Sequence, residues 1–100
     1  MYKALILPLA KEDIRSAAQW YDKQQKGLGK RFTKEIRKKV AHICRNPENI
    51  AIRYRDIKTA IVAVFPYMIH FIVNEDNKTV IISAVFAMAQ SSKHWEHRDD

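Results

Sequence analysis

A single cysteine, Cys44, stands in the 100-residue sequence, so no internal disulfide can form, and no Cys/His ladder with zinc spacing occurs. With Gly27 and Gly29 the only glycines, there is no phosphate-cradling loop, no dinucleotide fingerprint and no Gly-x-Ser-x-Gly elbow, which excludes most nucleotide-dependent chemistry. Two glycines and three prolines beside 47% hydrophobic residues also exclude a disordered chain, which could not bury enough apolar surface to offset the entropy of ordering. No apolar run approaches a membrane span. The opening Met1 to Pro8 is too short, and too soon followed by Lys11, Glu12 and Asp13, for a signal peptide. One domain over residues 1–100 is expected, in a reducing cytoplasm, with no cofactor.

Charge is plentiful but uneven. Eighteen basic against eleven acidic residues give +7. Between Lys23 and Lys58 twelve Lys/Arg face only Glu35, Glu48 and Asp56, so this stretch alone carries +9. Such a field attracts an anionic partner, whether nucleic acid, a nucleic-acid machine or an acidic protein segment; the bland alternative is a solvated helix face.

Hydrophobic periodicity divides the chain. Tyr2 to Leu7 reads as a buried strand closed by Pro8. From Lys11 to Gln25, Ile14, Ala17, Ala18 and Tyr21 fall at helical spacing, with Trp20 beside them. Gly27-Leu28-Gly29 suits a C-cap and a tight reversal. A second helix buries Phe32, Ile36, Val40, Ile43 and Cys44 and stops before Pro47. Ile50, Ile52 and Tyr54 then alternate with Ala51, Arg53 and Arg55, which places both arginines on one strand face. Thr59 to Val64, Tyr67 to Val73 and Thr79 to Ala87 are β-branched and aromatic runs, the last two joined by the polar turn 75–78. The expectation is an α+β domain: an N-terminal strand, a two-helix hairpin, then a three- to four-stranded, mostly antiparallel sheet with the hairpin on one face. Residues 91–100 are expected to form a helical turn or a tail.

Candidate chemistry is sparse. Cys44 lies in an apolar stripe and reads as a small buried hydrophobe. His94 and His97 have ligand-like spacing, but two imidazoles make no metal site. Metal-independent RNA cleavage needs a base, an acid and cations for the phosphorane; Arg53, Arg55, Lys58 and His70 are weak candidates, His70 sitting in a strand where a histidine is usually structural.

The order of short motifs is more informative than any one of them. Glu12-Asp13-Ile14 through Ala18, Trp20-Tyr21, Gln24-Gln25, Gly27-Leu28-Gly29 and Arg31-Phe32 are followed by Pro47 and Arg55-Asp56-Ile57-Lys58. Phe65-Pro66-Tyr67, Ala84-Val85-Phe86 and Trp95 with Arg98 complete the series. Together they resemble the RelE/ParE superfamily, the toxins of bacterial type II toxin–antitoxin modules. The resemblance implies a helical hairpin on a mostly antiparallel sheet and a cognate antitoxin that wraps the toxin. RelE-like members cleave messenger RNA on the ribosome, whereas ParE-like members inhibit DNA gyrase.

Departures from the ribonuclease pattern favour the ParE-like branch. Where the ribonucleases carry an arginine after the tyrosine of the central strand, this chain has Met68. Where many members read His, two residues, Arg, it has Ala87-Met88-Ala89-Gln90, and Trp95 stands in place of a catalytic tyrosine. Missing transition-state cations forfeit several kcal/mol of barrier lowering. The expectation is a gyrase inhibitor that acts by binding, not an enzyme. The alternatives are a metal-independent ribosome-dependent mRNA endoribonuclease and an attenuated module member or nucleic-acid-binding protein. Arg53, Arg55, Lys58, Lys93, Trp95 and Arg98 are the expected target-contact residues. Trp20, Tyr21, Lys30, Lys34, Arg37 and Lys38 are expected to meet the antitoxin.

Overall fold

In the computed structural model, which describes residues 1–89, Pro8 opens a helix and does not merely close a strand. Strand β1 (Lys3–Ile6) ends two residues earlier, and α1 (Pro8–Gln24) starts three residues before the expected Lys11. Proline suits the first helical position, where its fixed φ is already helical and its missing N–H would have had no partner. The extra turn buries Ala10 completely, beneath Ile14, Ala17, Ala18 and Tyr21 of the same stripe.

The hairpin turns at Gly27, whose φ of 90° lies in the left-handed region. Helix α2 (Leu28–Arg45) begins at once, and the Gly29 N–H donates to Asp22 Oδ1 at 2.7 Å. A Cβ at Gly29 would press into the Ala18 carbonyl and the Asp22 carboxylate, so glycine here allows the two helices to approach closely. Helix α2 buries Phe32, Ile36, Val40, Ile43 and Cys44 as the spacing predicts, and a 3-10 turn, Pro47–Asn49, follows it.

Strands β2 (Ile52–Tyr54), β3 (Ile57–Ile61), β4 (Tyr67–Asn74) and β5 (Thr79–Ala87) join β1 in a five-stranded sheet of order β1-β5-β4-β3-β2. Only β1 is parallel to its neighbour, β5; the other pairs are antiparallel. β2 is shorter than expected because Arg55 takes φ 50° in the turn to β3. β3 begins two residues earlier than the expected Thr59 and stops before Val64, whose φ of 74° leaves the extended region.

The helices cover one sheet face, where Ala60, Ile69, Phe71, Val80, Ile82 and Val85 pack against Phe32, Ile36, Val40 and Ile43. On β5 this sequence changes parity: His70 pairs with Ala84 but Phe71 pairs with Ile82, leaving Ser83 as a bulge. Val80 and Ile82 therefore share a face with Val85, while Ala84 and Phe86 turn to the other side with Met68 and Tyr54. Among the described residues no helix is long and apolar enough to cross a membrane.

Candidate functional site

The sheet face opposite the helices carries the cluster Met68, Ala84 and Phe86, with Tyr54 packed on it. His70, in register with Ala84, joins this cluster: its ring lies 5.2 Å from Phe86 and 5.8 Å from Tyr54, and its Nδ1 shares a 3.0 Å hydrogen bond with the Tyr54 hydroxyl. His70 has no exposed surface, so it is placed as a packing and hydrogen-bonding residue and not as a base open to substrate.

The other ribonuclease candidates do not converge on it. Lys58 is in register with Phe71, on the helix-facing side, and its Nζ donates to the Pro47 carbonyl at 2.9 Å. By alternation Lys58 and His70 belong to opposite faces. Arg53 is exposed on the edge strand β2. Arg55 is exposed in the following turn, so the two arginines do not share a strand face as the alternation predicts, because the strand ends between them. Lys93, Trp95, Arg98, Gln90 and the expected tail, with His94 and His97, lie outside the described residues. Among the described residues no three His, Cys, Asp or Glu side chains gather as a metal site would require.

The hairpin separates its aromatic pair. Tyr21 packs among Phe32, Phe65 and Tyr67, with ring centroids 5.4, 4.9 and 6.1 Å away, and burial pushes its phenol above the ordinary value. The Tyr67 phenol is also raised, by burial first and by Tyr21 second. Trp20 meets Tyr21 edge-on at 5.1 Å but leaves 55% of its surface to solvent, so of the two expected aromatic antitoxin contacts only Trp20 is well exposed.

Between β1, α1 and α2 lies an apolar groove of about 430 Å³. Tyr2 and Ile6 form one wall, Ile14 another, and Ile36, Val40 and Cys44 the floor on α2; Lys11 and Arg37 stand at its rim. Burial raises the Cys44 thiol, which fits an inert packing role. Among the described residues β1 is also the edge of the sheet, paired with β5 on one side. The groove was not legible from the sequence, because Ile36, Val40 and Cys44 have the spacing of ordinary core residues and only the placement of β1 shows that part of their stripe faces a cleft. Lys30, Lys34, Arg37 and Lys38 are all exposed, yet only Arg37 reaches this groove.

The family described as "ParE toxin of type II toxin-antitoxin system, parDE" matches residues 5–91. The chain belongs to the ParE toxin family. The fold agrees: the chain is similar to a chain of the chromosomal ParDE toxin–antitoxin system of P. aeruginosa (TM-score 0.76, 15% identity, 87% of this chain and 96% of that one). It is also similar to a chain of the intact E. coli RelBE toxin–antitoxin complex (TM-score 0.67, 17% identity, 91% and 100% covered). A third similar chain comes from the RelBE2 complex of Mycobacterium tuberculosis (TM-score 0.61, 12% identity, 86% and 96% covered). No match is found among curated proteins. This ParE-family chain thus shares its α+β architecture with chains of the ParDE and RelBE structures alike.

Proposed function

We propose that this chain is a ParE-type toxin that inhibits DNA gyrase by binding it and is neutralised by a cognate antitoxin. The observation that carries the reading is Met68. It stands where the ribonuclease pattern has an arginine, it is 5% exposed, and it packs against Ala84 and Phe86. An apolar thioether there supplies no charge to a transition state. Arg53 and Arg55 at the β2 end of the sheet, with Lys93, Trp95 and Arg98, are the proposed target contacts.

The antitoxin is proposed to lay an apolar segment into the groove between β1, α1 and α2, with acidic residues meeting Arg37 at its rim and with Trp20 as an exposed aromatic contact. The groove fits this role because it is open, apolar and rimmed by Lys11 and Arg37.

A gyrase supercoiling and DNA-cleavage assay, with purified toxin titrated across the enzyme concentration, tests the reading. Inhibition near stoichiometric toxin, with cleaved DNA accumulating, is the expected result. Cutting of translated messages by substoichiometric toxin, with gyrase unaffected, would replace it with the ribonuclease alternative.

A further inference from the structure

We propose that the solvent-facing side of α2 is a separate binding surface, shaped for the backbone of double-stranded DNA and indifferent to its sequence. The proposal does not rest on the gyrase reading or on the apolar groove.

At 3.6 residues per turn, Arg31, Lys34, Lys38 and Arg45 fall within an arc of about 60° on the helix surface. All four are exposed. From Arg31 to Arg45 the helix rises about 21 Å. No acidic side chain lies in that arc. Glu35, the one acid of α2, sits to its side, 13% exposed and 3.7 Å from the Lys38 ammonium, a pair that solvent weakens on the lysine side. Lys30, Arg31, Lys34 and Arg37 also border a concavity of about 950 Å³ at the start of the helix, where Glu35 is the one acid among four cations.

A second observation points to an anion. The first turn of α2 holds no acidic residue, and Lys30 and Arg31 stand there instead. Helix N-termini carry partial positive charge and favour Asp or Glu, so cations at this end raise the local field at some expense in stability. A phosphate placed beside them relieves that repulsion and satisfies the side chains together.

The surroundings distinguish a phosphate backbone from an acidic protein. The large exposed hydrophobics among the described residues are Met1, Leu5, Leu9, Trp20, Ile52, Ile61, Val64 and Met88, and none is on α2. Tight protein interfaces are organised around buried apolar or aromatic anchors, and this arc offers none. Backbone contacts to DNA need only cations and donors. Duplex DNA presents one charge per about 1.7 Å of axis, so a straight 21 Å row of cations faces enough phosphates to pair each side chain. Asn and Gln, the residues that read adenine edges, are missing from the arc, which fits sequence-independent binding.

Fluorescence anisotropy of the full chain with a labelled duplex of about 20 base pairs, from about 50 to 200 mM salt, tests the proposal. The expected result is binding that weakens steeply with salt. The quadruple variant Arg31→Gln, Lys34→Gln, Lys38→Gln, Arg45→Gln should lower the slope of log K against log salt by about three to four and weaken binding at least ~100-fold at 0.15 M. Lys3→Gln with Lys23→Gln, which also removes positive charge but from exposed positions outside the arc, should change affinity by no more than a few-fold. Circular dichroism checks the fold; if the quadruple variant unfolds, Lys34→Gln and Lys38→Gln alone should each reduce the slope by about 0.9. The proposal is overturned by no binding at 50 mM salt, by variants that bind like the parent, or by a tenfold preference between unrelated duplexes. Equal affinity for polyglutamate or for single-stranded RNA also overturns it.

Discussion

The backbone N–H of Val85 donates to Asp13 Oδ2 at 2.9 Å, tying the second turn of α1 to the centre of the sheet. The reason lies in the length of β1. That strand stops at Ile6, in register with Ile82, and Leu7 N–H still reaches the Ile82 carbonyl, so the β1 side of β5 loses its neighbour just before the Ser83 bulge ends. Asp13 takes over as acceptor where the strand gives out.

Asp13→Ala should therefore destabilise the fold by about 1–3 kcal/mol, the range for a half-buried donor left without its partner. Asp13→Asn keeps an acceptor oxygen and should recover at least half of that loss. Urea unfolding of the three proteins measures it; an Asp13→Ala midpoint equal to the parent's would show that the contact contributes nothing.

Gly29 makes a prediction whose sign opposes helix propensity. In an exposed helix, glycine to alanine gains about 1 kcal/mol. Here the added methyl meets the Ala18 carbonyl, a backbone group that cannot swing aside, and crowds the Asp22 carboxylate that receives the Gly29 N–H. Gly29→Ala should lower stability by about 1–3 kcal/mol, the range for overpacking, and lower Tm accordingly. A raised Tm would mean that the helices separate at little energetic expense.

These two positions illustrate what was legible in the sequence. The α2 stripe, the breaks at Gly27 and Pro47, and the whole of β5 follow from period and punctuation, which are local properties. The parallel placement of β1 beside β5 is not local and has no signature in a six-residue apolar run. The bulge at Ser83 is equally silent, because Val80 to Phe86 reads as a nearly continuous apolar run and hides the change of parity. Site residues suffered most. Arg53 and Arg55 alternate correctly in sequence, but a left-handed backbone at Arg55 separates them, and Lys58 belongs to the other face once β3 is registered on β4.

Tyr21 and Tyr67, together with the Cys44 thiol, should make the fold sensitive to alkali. Burial raises both phenols above the ordinary value of 10.0, and Tyr67 is raised further by Tyr21. The folded state thus holds protons that the unfolded state releases, so the contribution of the pair is complete below about pH 10 and falls as pH climbs through the folded values. Denaturant midpoints should begin to fall above about pH 9, where the raised Cys44 thiol begins to cost stability, and fall more steeply above about pH 10 as the two phenols join it. Tyr67→Phe keeps the ring contacts with Tyr21 and Phe32 and should make the alkaline decline shallower. An unchanged decline would place its origin in other groups.

Ala41 offers a way to separate neutralisation from toxicity. It lies exposed on the wall of the groove between β1, α1 and α2, beside Arg37 and Val40, and its methyl carries no packing duty in the core. Ala41→Glu places a carboxylate where an apolar antitoxin segment with acidic flanks is proposed to lie. It should weaken antitoxin binding at least ~10-fold, about 1.4 kcal/mol, while leaving the melting temperature close to the parent's. Gyrase inhibition by the free toxin should not change, because Arg53 and Arg55, the described target contacts, lie at the β2 end of the sheet, opposite β1. Calorimetric titration with the antitoxin and the supercoiling assay, run on the same preparation, give the two readouts. Loss of both activities together would mean that antitoxin and target share the groove; loss of neither would remove the groove from the antitoxin interface.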